Sequence, residues 1–152
     1  MSNDEPKQQQ QLFHLQGFLK FPLLLSRDTS KRLRNFILKD LQDALQQPEE
    51  SQKQRFSAIR RRTNRWDLKL HTTLEVKTAM QEILQRDFIE TLLAPLFQCQ
   101  PEDVVLAELG SLISHPGAQA QEWHADTLHT GAIQPDCICC FITLQDTPHK
   151  SA

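Results

Sequence analysis

Val104-Val105-Leu106-Ala107-Glu108-Leu109-Gly110-Ser111-Leu112-Ile113, His115-Pro116-Gly117, Gln121-Glu122-Trp123-His124-Ala125-Asp126 and Asp136-Cys137-Ile138-Cys139-Cys140-Phe141-Ile142-Thr143-Leu144-Gln145-Asp146 follow one another along the chain. The first run has strand length and ends in a turn signal. The last is a second strand-like run, rich in β-branched and soft apolar residues. Between them stand His124 and Asp126, separated by one residue. On extended or turned backbone such a pair can face one metal ion. It would then supply two of the three protein ligands of a facial 2-His-1-carboxylate triad, a set that suits non-haem Fe(II). The competing reading makes both residues ordinary loop positions that hydrogen-bond their neighbours.

The order strand, Pro-Gly loop, Gln-Glu-Trp-His-Ala-Asp, strand, Leu-Gln-Asp-Thr-Pro resembles the phytanoyl-CoA dioxygenase-like family of Fe(II)/2-oxoglutarate oxygenases. Upstream, Gly17-Phe18-Leu19 with Ser26-Arg27-Asp28, and Arg65-Trp66-Asp67-Leu68-Lys69-Leu70 ahead of a helix, are similar to the family's earlier segments. The resemblance spans roughly residues 12–148 and is specific over about 115–148. It implies an α+β chain: N-terminal helices followed by the first strands of a double-stranded β-helix (jelly-roll) core. It also implies hydroxylation coupled to oxidative decarboxylation of 2-oxoglutarate, with His124 and Asp126 holding Fe(II) and Gln121 contacting the cosubstrate. Retention of Asp126 points to hydroxylation, since related halogenases lack that carboxylate. The family's distal His and its cosubstrate-binding cation lie on later strands and have no counterpart here. His149, in Thr147-Pro148-His149-Lys150, stands where the family pattern is left behind. The expectation is a truncated form, the N-terminal half of the family's domain, with little activity alone. The alternatives are a non-catalytic remnant or interaction module, and a small zinc-binding protein.

Composition narrows the partners. The chain has 152 residues and a net charge of −2, which accommodates one domain and attracts neither nucleic acid nor an anionic membrane as a whole. The acidic, polar start Met1-Ser2-Asn3-Asp4-Glu5-Pro6 is unlike a signal or transit peptide, and a soluble, cytoplasmic protein is expected. Three of the four cysteines crowd at 137, 139 and 140. That spacing makes a poor disulfide framework and favours a reducing compartment.

The division along the chain is a disordered polar tail over 1–11 and a partial domain over 12–152. Within it, residues 17–22 read as a short strand entering Pro22, and 48–64 as a surface connection. Leu33, Phe36, Ile37, Leu41, Ala44 and Leu45 recur at helical spacing and predict a helix from about Asp28 to Gln47, with Pro48 beyond its end. Helical spacing returns in Val76, Met80, Ile83 and Leu84, then in Phe88, Ile89, Leu92, Leu93 and Leu96, with Pro95 distorting the last turn. The order is helices first, strands last. Two strands cannot bury both faces of a sheet, so an open edge on the 137–144 strand, and self-association through it, are expected.

Other chemistry-bearing residues read more simply. His115 and His129 are solvated loop positions unless they join His124 as ligands. Cys137-x2-Cys140 has the spacing of a zinc half-site, but a strand would send the two side chains to opposite faces. Core cysteines are the expectation. Lys53, Arg55, Arg60, Arg61, Arg62, Arg65 and Lys69 form a basic stretch that could meet the phosphates of an acyl-CoA-like substrate or of nucleic acid; a solvated loop is the favoured reading. Only Phe56 and Trp66 interleave with those charges, too few for a base-stacking platform. Trp66 and Trp123 read as packing residues.

Overall fold

In the computed structural model the described residues are 5–57, 64–120, 122 and 137–146. They form a mixed helix and sheet structure of the α+β kind, in the order α1 (Glu5–Gln16), α2 (Arg27–Leu45), α3 (Glu49–Arg55), β1 (Arg65–Lys69), α4 (Leu74–Ile83), α5 (Arg86–Phe88), a π-helical turn (Ile89–Leu93), α6 (Ala94–Phe97), a 3-10 turn (Pro101–Asp103) and β2 (Gly110–Ser114). Among these residues no helix is long and apolar enough to cross a membrane.

The centre of the molecule is α2 against α4. Leu33, Ile37, Leu41 and Ala44 of α2 are buried along one stripe, the i, i+4 recurrence that puts side chains on one helical face. Val76, Ala79 and Ile83 of α4 are buried likewise. The core cluster joins α2 and α4 to Phe56, Leu68 and Ile113, with Trp66 and Leu144 partly buried against it. Trp66 is thus a packing residue, as its sequence context suggests.

Both helices start on side-chain caps. The Ser26 hydroxyl accepts the Thr29 backbone N–H at 3.2 Å, and the Thr73 hydroxyl accepts from Val76 at 3.5 Å. Each cap satisfies an amide that the first turn leaves without a helical partner.

At its other end, α2 is closed by α3. The Gln52 side-chain amide donates to the Leu45 carbonyl at 3.1 Å and to the Gln47 carbonyl at 2.8 Å, satisfying acceptors that a helix C-terminus exposes. Arg55 then reaches back to Asp40 at 2.6 Å. Residues 48–64 are therefore not wholly a surface connection. Glu49–Arg55 is helical, and Phe56, at the end of α3, is buried and bridges Leu68. That order comes from contacts to α2 and β1, which the polar local pattern does not reveal.

Two further expectations are corrected. Residues 5–16 form a helix where a disordered tail is expected over 1–11. Glutamine, leucine and lysine are good helix formers; α1 buries no residue, so no apolar stripe marks it in the sequence. Nor do residues 17–22 form a strand. Gly17 takes φ +79° and donates its N–H to the Phe13 carbonyl at 2.7 Å, ending α1, and Leu23 adopts a left-handed φ of 57° just after Pro22.

Pro95 distorts its helix as expected. The Ala94 N–H bonds the Ile89 carbonyl, five residues back, one turn of π-helix directly before the proline. Pro95 has no N–H to give the Thr91 carbonyl. That carbonyl instead accepts the Gln10 side-chain amide from α1 at 2.9 Å. The distortion thereby becomes an attachment point for the N-terminal helix.

β1 and β2 pair antiparallel, with Trp66 opposite Ile113, Asp67 opposite Leu112 and Leu68 opposite Ser111. Trp66, Leu68 and Ile113 share the core-facing side, as the period of two requires. β1 stands before α4, so the order is not helices first and strands last. The expected strand over 104–113 is shorter, and 104–109 lies outside it, with Val105 and Leu106 exposed. The expected strand over 137–144 is not formed: residues 137–146 adopt neither helix nor strand.

Candidate functional site

In the chain, β2 precedes His124 and Asp126, the residues that the sequence suggests as metal ligands. Its exit is fixed by a compact set of contacts to the residue preceding β1. The His115 N–H donates to the Asn64 carbonyl at 2.9 Å, and the Ala118 N–H donates to the His115 carbonyl at 3.0 Å. The Asn64 side-chain amide donates to the Pro116 carbonyl at 3.1 Å. The Trp66 and His115 rings meet edge to face, with centroids 4.7 Å apart at 66°, a favoured aromatic geometry.

Gly117 and Asn64 account for the tightness of this turn. Gly117 takes φ +82°, and a Cβ there would come within 3.3 Å of Asn64 Nδ2. Asn64 itself takes φ 58°, a left-handed conformation that asparagine tolerates better than most residues. The turn signal His115-Pro116-Gly117 was legible in the sequence. Its partner Asn64, more than fifty positions away, was not, because nothing local announces a contact made across the sheet.

His124, Asp126 and Gln121, together with Trp123 and His129, lie outside the described residues. Arg60, Arg61 and Arg62 of the basic stretch do so as well. Among the described residues, no three His, Cys, Asp or Glu side chains are grouped to hold a metal ion. His115 is committed to Trp66 and the turn.

The rest of the basic stretch is divided. Lys53 pairs with Glu50 at 2.6 Å on the surface. Arg55 is largely enclosed with Asp40, their side chains 13% and 15% exposed, so its charge is spent inside the protein. Cys137, Cys139 and Cys140 are exposed rather than core residues. The physical reason is the missing strand: only a strand packed on the core would have turned one face of that run inward. Burial pushes the Cys140 thiol up, its sulfur being recessed although the residue as a whole is exposed.

A carboxylate that sequence reasoning missed holds the start of α2. Glu82 of α4 accepts the Ser26 N–H at 2.9 Å and the Thr29 hydroxyl. Thr29 is 2% exposed. These hydrogen bonds, that of Thr29 first, hold the Glu82 pKa below the usual range. The arrangement is that of a cap between helices. Compared with models of protein families, with curated proteins and with solved structures, the chain matches none.

Proposed function

We propose that this chain carries the proximal part of the iron site of an Fe(II)/2-oxoglutarate-dependent hydroxylase with a jelly-roll core. His124 and Asp126 are the metal ligands and Gln121 a cosubstrate contact. The observation that carries this reading is the His124-Ala125-Asp126 sequence, placed shortly after β2 and its Asn64-braced turn. Ligands hold a metal well only when the elements leading to them are rigid. A paired strand with a side-chain-locked exit is such a support.

The donor chemistry fits: an imidazole nitrogen and a carboxylate oxygen suit Fe(II). Bound iron would supply oxygen activation coupled to decarboxylation of 2-oxoglutarate. The protein's part is to present His124 neutral and Asp126 ionised. Both must shed protons to bind, so metal affinity falls in acid. These residues make two ligands of a three-ligand set, and His149 is the only histidine after His129. Little 2-oxoglutarate turnover by this chain alone is part of the proposal.

The test is anaerobic Fe(II) titration by calorimetry, alongside a succinate assay. Binding that weakens at least tenfold in both His124→Ala and Asp126→Ala, with succinate near background, is the expected result. Binding unchanged in both variants overturns the ligand assignment. Succinate formed at the rate of a complete oxygenase overturns the low-activity half of the proposal.

A further inference from the structure

Cys137, Cys139 and Cys140 place three exposed cysteines within four residues, none of them disulfide-bonded. Reduced cysteine is among the most buried residue types. Three together on the surface therefore call for an explanation in reactivity rather than packing. Residues 137–146 belong to no helix or strand, so no ladder of backbone hydrogen bonds resists a local change of conformation. Leu144 anchors the far end of the segment on the core.

Chain geometry narrows the pairs: Cys137 and Cys140, three residues apart, face opposite sides of an extended backbone. Adjacent Cα atoms across a trans peptide are about 3.8 Å apart, below the roughly 4.4–6.8 Å that a disulfide spans. Cys139 and Cys140 are thus too close to bridge without distortion. Residues two apart on extended backbone lie about 6.6–7.2 Å apart, at the upper edge of that range, and a slight bend brings them within it. Side chains at that spacing also face the same way on extended backbone.

We propose that Cys137 and Cys139 form a reversible thiol–disulfide site, closed by a low-molecular-weight disulfide such as oxidised glutathione. In the first step one cysteine thiolate attacks the glutathione disulfide. One protein–glutathione S–S bond forms, the glutathione S–S bond breaks, and one glutathione thiolate leaves with its electron pair. In the second step the other cysteine thiolate attacks the protein sulfur of that mixed disulfide and releases the second glutathione thiolate. The two protons lost from the cysteines are taken up by the two released thiolates. Two electrons have passed from the protein thiols to one glutathione disulfide. Cys140 is the poorer participant, because burial keeps its thiol protonated. A small-ring bridge on the surface is strained and accessible, features of labile rather than structural disulfides. This inference is independent of the iron-site reading, since it rests only on residues 137–140.

The experiment treats the full chain with oxidised glutathione, alkylates the remaining thiols and measures intact mass before and after dithiothreitol. The expected result is loss of two hydrogens with two thiols shielded from alkylation, fully reversed by the reductant. Cys99→Ser and Cys140→Ser retain that change. Cys137→Ser and Cys139→Ser lose it and stop at a single glutathione adduct. Four alkylatable thiols after oxidation, separate stable adducts on each cysteine, a disulfide that survives Cys139→Ser, or a disulfide between chains each overturns the proposal. All three positions are exposed, so the serine variants keep the fold.

Discussion

Glu82 accepts the backbone N–H of Ser26 at 2.9 Å, so the N-terminus of α2 is held by a carboxylate that belongs to α4. The same carboxylate takes the hydroxyl hydrogen of Thr29. The negative group stands where the dipole of a nineteen-residue helix favours it. A local N-cap and a tertiary contact thus share one site, and α2 and α4 are joined by polar bonds at one end as well as by their apolar stripes.

This contact predicts a pH dependence. The folded-state pKa of Glu82 is lowered, chiefly by Thr29 and then by Ser26, with Arg32 assisting. A depressed carboxylate contributes stability above its unfolded pKa of about 4.3, and loses it as pH falls through the folded value. Urea midpoints of wild type and Glu82→Gln should differ most at neutral pH and converge in acid. A constant difference down to the lowest pH at which both chains fold would mean that the carboxylate charge contributes nothing.

Arg55 and Asp40 form a largely enclosed ion pair, at 2.6 Å. The Arg55 Nε atom is buried and makes no hydrogen bond. Removing one partner strands the other charge in a place of low dielectric. Asp40→Ala should cost about 2–4 kcal/mol. The double variant Asp40→Leu, Arg55→Met should recover much of that, because it removes both charges. Chemical denaturation in a double-mutant cycle measures both terms.

Leu68 is fully buried, opposite Ser111 across the sheet and bridged by Phe56 on the other side. Leu68→Ala should destabilise the chain by about 2–5 kcal/mol through lost burial and an unfilled cavity. Leu74→Ala, at a 76% exposed position, should change stability by less than about 0.5 kcal/mol. Thermal or urea unfolding of the pair tests whether the sheet and the helices share one core.

Among the described residues, the sheet edge without a paired strand falls on β2, and residues 137–144 form no strand. Among the described residues β2 pairs with β1 alone. Leu112 is 43% exposed on the face away from the core, and Val105, Leu106 and Phe141 are exposed too. An unpaired edge with apolar neighbours invites pairing between chains. Sedimentation should show association rising with concentration, and Leu112→Lys should suppress it. A monodisperse monomer across the whole concentration range would remove the edge from consideration.

Much of the helical structure was legible in the sequence alone. The stripes of α2 and α4, the stop before Pro48 and the distortion at Pro95 follow from local spacing and from proline's missing N–H, which act within a turn or two. The His115-Pro116-Gly117 turn was legible for the same reason, as was the His124–Asp126 pair as a candidate. The tertiary structure decided what distant residues do to one another. β1 is five residues long and exists because β2 pairs with it from more than forty positions away. Glu82 became a cap only by meeting Ser26, and Arg55 an internal charge only by meeting Asp40. The cysteines read as core residues because an apolar run suggests a packed strand; among the described residues no strand forms there, and they stand exposed. Local periodicity records which face of an element can be buried; which face is buried depends on a partner that lies elsewhere in the chain.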